Sequence, residues 1–193
     1  MITEIALKKY PIKVALGNER TYEIRPLERS DKASLHRFFT RIPEEDRFYL
    51  KENVTAPEVV HDWIEAIDPS RVVSLVALDR DTIVADATLH RSRAPARRHV
   101  GELRVVVDPE HRGAGLGSKL IQELIDLGRR LELDRLFFEL VDRREQDAIS
   151  AAIGLGFEEV AVLRGRVKDS YGSLQDLAVL ELSLDAEAEQ LPF

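Results

Sequence analysis

The stretch DPEHRGAGLGSKLI, residues 108–121, decides how this chain is read. Glycines alternate at positions 113, 115 and 117, directly behind Arg112. An amphipathic run follows, in which Leu116, Leu120, Ile121, Leu124, Ile125 and Leu131 keep helical spacing. Glycine costs backbone entropy and one suffices for a turn, so a cluster before a helix points to a ligand lying close to bare N–H groups. The favoured ligand is an anion, because the first amides of a helix are unpaired and its dipole is positive at that end. Spacing excludes two phosphate loops. A Walker A loop read from Gly113 needs glycine where Ser118 stands and a hydroxyl where Leu120 stands. A dinucleotide fingerprint starts directly after its strand, whereas DPEHR separates Val107 from Gly113.

Upstream of the loop, GELRVVVD reads as a strand; downstream of the helix, Asp134 begins another, LDRLFFELV. Together they form a β–α–β crossover and hence a parallel pair. Before it, RVVSLVALD and TIVADATLHR form a hairpin about Arg80-Asp81. Earlier still, Ile12, Val14 and Leu16 pair through a Gly17-Asn18 turn with Tyr22 to Pro26. Between these hairpins, Ser30 is expected to cap a helix through Leu35, Phe38 and Phe39. Thr55 with Glu58 makes a capping box for a second helix that buries Val60, Trp63, Ile64 and Ile67. PEEDRFYLKEN reads as a short helix or turn. A last helix spans about 145–155, closed by Gly156, and two strands flank the turn DSYGS. The fold class is therefore α/β, a mixed and largely antiparallel sheet with helices on both faces and one parallel pair.

Composition sets the bounds. The chain has 193 residues, enough for one core, so a single domain over 1–193 is expected, with an N-terminal hairpin extension in 1–20 and an acidic tail in 185–193. With 44% hydrophobic and 33% charged residues it reads as an ordinary globular protein. No apolar run spans a bilayer and the start lacks a signal-peptide pattern, so the expected compartment is the cytoplasm, with no membrane partner. Cysteine is absent, which removes thiolate chemistry. A net charge of -7 argues against nucleic acid as a partner, and the histidines show no ligand spacing, so no metal is expected.

With GELRVVVDPEHRGAGLGSKLI and the later AISAAIGLGF in place, the chain resembles the GNAT superfamily of acetyl-CoA-dependent N-acetyltransferases over roughly residues 21–184. Arg112, Gly115 and Gly117 fill its pyrophosphate pattern, an arginine or glutamine followed at the third and fifth positions by small residues. The N-terminal hairpin is similar to one in bacterial relatives of protein lysine acetyltransferases. The resemblance implies acetyl-CoA as cosubstrate, its diphosphate held by Arg112, Gly113, Ala114, Gly115, Leu116, Gly117 and Ser118. It also implies that the parallel strands splay, so that backbone groups at Val105, Val106 and Val107 pair with the pantetheine arm. The acyl group passes directly to a primary amine, on an acceptor left open among a small amine, an amino acid and a protein lysine.

Transfer to an amine needs a base and donors for the oxyanion. The resemblance places the base at Glu102 and the oxyanion donor at the N–H near Val105. Among Leu103, Val105 and Phe137, the Glu102 carboxyl is expected to be raised toward neutrality. Asp86, Thr88 and His90 alternate on the neighbouring strand, so Asp86 is a candidate neighbour of Glu102. Arg112 and Lys119 are candidate phosphate contacts, and His111 is expected to face solvent. The family's usual tyrosine acid is replaced by Ala152, and its asparagine at that helix's start by Glu145. These departures sustain a rival, a noncatalytic coenzyme A-binding sensor or interaction domain. The cluster Arg91, Arg93, Arg97, Arg98 and His99 reads as a solvated loop at the far end of the strand. A homodimer through edge strands or the hairpin is open.

Overall fold

A computed structural model describes residues 2–17, 19–51 and 53–184. The acidic tail, and Asn18 in the first turn, lie outside the described residues. In chain order the elements are α1 (Ile2–Leu7), β1 (Ile12–Ala15), β2 (Thr21–Pro26), α2 (Lys32–Arg41), α3 (Glu44–Arg47), α4 (Pro57–Glu65), β3 (Val72–Asp79), β4 (Thr82–Arg91), β5 (Val100–Val107), α5 (Leu116–Arg130), β6 (Arg135–Val141), α6 (Gln146–Gly154), β7 (Glu158–Lys168) and β8 (Leu174–Ser183). They build an eight-stranded sheet in the order β1-β2-β3-β4-β5-β6-β8-β7, in which β5 and β6 are parallel and every other neighbouring pair is antiparallel.

Both expected hairpins form, and Arg80 takes φ 56 to turn the second. Helices cover both faces. Leu75 and Ala77 of β3 face α5, where Leu116, Leu120, Leu124 and Leu127 are buried. Val76 and Leu78 face the other side, against Leu35, Phe38 and Phe39 of α2 and Val60 and Ile64 of α4. Each such side chain contributes about 1.5–3 kcal/mol of burial, which outweighs the small propensity differences between helix formers.

The caps depart from the sequence reading. Residues 29–31 form a 3-10 turn that runs into α2, so Ser30 is not the N-cap; Asp31 fills that place. Its carboxylate takes the Glu28 N–H at 2.8 Å and both Arg25 guanidinium nitrogens at 2.6 and 2.9 Å. Thr55 does not cap α4 either. Ala56 is the N-cap, Pro57 starts the helix with its fixed φ, and Thr55 bonds Asn53 instead. Ile67 lies beyond the end of that helix. Residues 1–20 hold not only β1 but also α1, which packs Ala6 into the core beside α5. At the end of α6, Gly156 adopts φ 97 as predicted, and the Phe157 N–H returns to the Ala152 carbonyl at 3.1 Å.

No helix of the described residues is long and apolar enough to cross a membrane.

Candidate active site

The parallel pair is short. Val100, Gly101 and Glu102 pair with Arg135, Leu136 and Phe137, and there the ladder stops. Beyond it, β5 stays with β4 as far as Val107 while β6 stays with β8 as far as Val141. A wedge therefore opens between β5 and β6. Gly101 sits where the strands are closest: a Cβ there would lie 2.6 Å from Leu89 Cδ1 and 2.9 Å from Leu133 and Leu136.

At the broad end of the wedge, Asp108 accepts the Glu110 N–H in a 3-10 turn, and the glycine loop follows. Gly113 and Gly115 take φ +75 and +90, a region closed to most side chains, and a Cβ on either would meet nothing within 4 Å. Among the described residues, no protein acceptor takes the backbone N–H groups from Gly113 to Ser118, and Gly115 is the N-cap of α5. Open space, free amides and a helix N-terminus together fit a diphosphate. The side chains of Arg112 and Lys119 are committed elsewhere, contrary to the sequence expectation. Arg112 donates from Nε to the Val107 carbonyl at 2.9 Å and reaches Asp46 at 2.9 Å; Lys119 pairs with Glu123 at 2.8 Å. His111 does not face solvent. It is buried against Tyr22, whose hydroxyl lies 3.1 Å from Nδ1, and beside Arg20, so it ties the loop to the first hairpin.

The narrow end carries the charged groups. Arg104 grips Glu102 with two bonds of 2.9 and 3.1 Å, and Lys51 Nζ lies 2.6 Å from Glu102 and 2.8 Å from Glu139 on β6. Burial alone would raise the Glu102 carboxyl, but the bonds and charges of Arg104 and Lys51 prevail and hold it at about 2. The expectation of a raised carboxyl is corrected accordingly. Asp86 is not a neighbour of Glu102: it stands opposite Val106, whereas His90 stands opposite Glu102. Four strand positions, roughly 13 Å, separate the two carboxylates along the ladder.

Asp86, Thr88, His90 and Arg104 instead line a cavity of about 280 Å³, walled on its other side by Leu35 and Trp63. Burial pushes the Asp86 carboxyl up to about 6, against one bond of 2.7 Å from Ser74 Oγ. Burial, then the Arg104 charge, push His90 down to about 4, so its ring is neutral at pH 7.

A strap that sequence reasoning missed crosses the wedge. Asp46 of α3 joins Arg112 of the glycine loop to Arg144 after β6, and Lys51 joins Glu102 to Glu139. In the sequence these residues sit in PEEDRFYLKEN, a run that looks like a solvated surface; their partners lie 51 to 98 residues away, beyond any local signal. At α6, Ala152 is fully buried in the core, and Glu145 accepts the Val141 N–H, with burial raising its carboxyl.

The splayed parallel pair, with a glycine loop feeding a helix at its broad end, defines a class of acyltransferase. The family model of the acetyltransferase (GNAT) family matches residues 33–157, and the chain belongs to that family. It is 29% identical to the L-amino acid N-acyltransferase MnaT of Escherichia coli strain K12 over 128 residues, 66% of this chain and 73% of that protein. Its fold is similar to that of yncA from Salmonella typhimurium, solved with acetyl-CoA, at a TM-score of 0.73 and 24% identity over 86% of this chain and 96% of that one. It is likewise similar to ribosomal-protein-S5-alanine acetyltransferase from Vibrio fischeri, at 0.75 and 18% over 91% and 98%.

Proposed function

We propose that this chain is a single-domain, acetyl-CoA-dependent N-acetyltransferase that moves the acetyl group directly onto a primary amine. The observation that carries the reading is the row of free amides from Gly113 to Ser118 at the N-terminus of α5, beside the wedge. Those amides would receive the diphosphate; the Arg112 N–H is already taken by the Pro109 carbonyl. Backbone groups at Val105 would pair with the pantetheine amides, as an added strand pairs with a sheet edge, whereas those of Val106 point to Asp86 in the ladder with β4. Arg112 already occupies the Val107 carbonyl, so Val107 contributes packing rather than that acceptor. The cosubstrate supplies the activated acyl group; the chain orients it and manages the amine's proton.

Glu102 is the proposed base. With its carboxyl at about 2 in the ion-paired state, it is a weak base, and it serves an external amine only when that amine displaces Lys51. The cavity beside it, with Arg104 and His90 shared between cavity and wedge, is the proposed acceptor pocket. Because the Escherichia coli relative is named for L-amino acids, a small α-amino acid is the first acceptor to offer. Its carboxylate would suit Arg104. The rival reading, a noncatalytic coenzyme A sensor, draws on Ala152 and on the ion pairs that occupy Glu102.

The deciding experiment is calorimetric titration of acetyl-CoA into the purified protein, with ATP and NAD as competitors. Selective acetyl-CoA binding is expected, and preference for either nucleotide would overturn the loop assignment. Glu102→Gln is then expected to lower turnover about a hundredfold, the low end for a positioned base, with acetyl-CoA affinity unchanged. Unaltered turnover would remove Glu102 from the mechanism.

A further inference from the structure

Lys51 stands where an acceptor amine is wanted. Its Nζ touches Glu102 at 2.6 Å, within the reach that a general base needs of the proton it removes, and touches Glu139 at 2.8 Å on the opposite wall of the wedge. The two carboxylates come from the two strands that splay, so the ammonium bridges the narrow end of the gap. Asp46, five residues earlier, anchors the same segment to both walls through Arg112 and Arg144, and the Arg144 guanidinium stacks on the Tyr49 ring at 5.3 Å. The lysine side chain is still 43% exposed, which leaves it free to swing.

We propose that Lys51 is itself an acetyl acceptor of this site, an internal primary amine held on Glu102 and Glu139 at the narrow end of the β5–β6 wedge. The inference rests on the proposed use of acetyl-CoA. The Lys51 ammonium gives one proton to Glu102, and the freed nitrogen forms a C–N bond to the thioester carbonyl carbon. The C–S bond breaks and its electron pair leaves with the coenzyme A sulfur. The second proton of the nitrogen goes to that sulfur, giving an amide and a thiol, and Glu102 releases its proton to water. Tethering makes the step unimolecular, which offsets the weakness of an ion-paired base. The product amide carries no charge, so both carboxylates lose this partner. Glu102 keeps only Arg104 and is open to an external amine.

Two measurements test the proposal. In the protein alone, a carbodiimide, which couples an amine to a carboxylate in direct contact, is expected to join Lys51 to Glu102 or Glu139; absence of both cross-linked peptides would overturn the placement. With acetyl-CoA added, peptide mass spectrometry is expected to show Lys51 acetylated at least about tenfold faster than the exposed Lys13 and Lys168. The rate constant should stay unchanged on dilution of the protein. Lys51→Arg should abolish the modification without moving it to another lysine, and Glu102→Gln should slow it. Acetylation of Lys51 at the rate of Lys13, in a protein that calorimetry shows to bind acetyl-CoA, would sink self-acetylation and leave the proposed function standing. Failure to bind acetyl-CoA would sink both.

Discussion

Valine at position 115 is expected to weaken acetyl-CoA binding at least about a hundredfold. Hydrogen bonds to a charged group contribute about 1.5–3 kcal/mol each, and a branched side chain projecting from the loop would hold more than one amide away from the diphosphate. Gly115 has φ +90 and open space where its Cβ would be, so the new side chain meets no protein atom within 4 Å at that point. It does strain the backbone, by about 1–3 kcal/mol. Gly172, in the turn between β7 and β8, is the matched control: φ +82 and nothing within 4 Å. Gly115→Val and Gly172→Val should therefore lose similar stability in urea unfolding, while only the first loses affinity by calorimetry. Equal affinities in the two variants would show that the loop holds no part of the cosubstrate.

Asp86→Asn is expected to stabilise the protein by about 3 kcal/mol at pH 8 and by only about half a kcal/mol at pH 4. The folded carboxyl is raised to about 6 from an ordinary 3.8 by burial. Between those values the folded state binds more protons than the unfolded chain, so the wild-type contribution to stability falls as pH rises through the window. Above it, the buried charge is a fixed cost. Asparagine removes the charge and keeps an oxygen for the Ser74 hydroxyl. Urea unfolding of both proteins at the two pH values isolates Asp86, because every other titrating group is common to them. A stability difference independent of pH would mean that Asp86 is solvated through the cavity. The same variant also probes the proposed acceptor pocket, since Asp86 lines that cavity.

Much of the fold was legible because its signals are local. The β-rich runs at 72–79 and 82–91, the 3.6-residue spacing after Gly115 and the glycine at 156 each report a backbone conformation within one or two turns of chain. The caps of α2 and α4 were misread for a related reason. Serine and threonine are good caps in isolation, but Arg25 recruits Asp31 from the neighbouring strand, and Pro57 starts α4 without a side-chain bond. The glycine loop was visible as a motif; its tie to the first hairpin through His111 and Tyr22 was not, because that contact joins residues 89 apart. Glu102 was visible as a carboxylate on a strand. Its charge state was not, because Lys51 reaches it from 51 residues away. Arg104 lay within sight, two residues on along the same strand face, and is the signal that a search for cationic neighbours would have caught.

The order of the strands bears on what counts as the smallest working unit of this molecule. The family-matched span, 33–157, contains β3 to β6 but none of β1, β2, β7 or β8. Cut back to that span, the chain would expose both sides of a four-stranded remnant. β3 would lose the ladder that buries Tyr22 and Ile24, and β6 would lose its seven paired positions with β8. Bare strand flanks invite pairing with other chains. The flanking segments are therefore not ornaments around a catalytic kernel. Tyr22, which belongs to one of them, also braces the histidine beneath the glycine loop, so trimming the flank would slacken the cradle before it reached any residue of the shared motif.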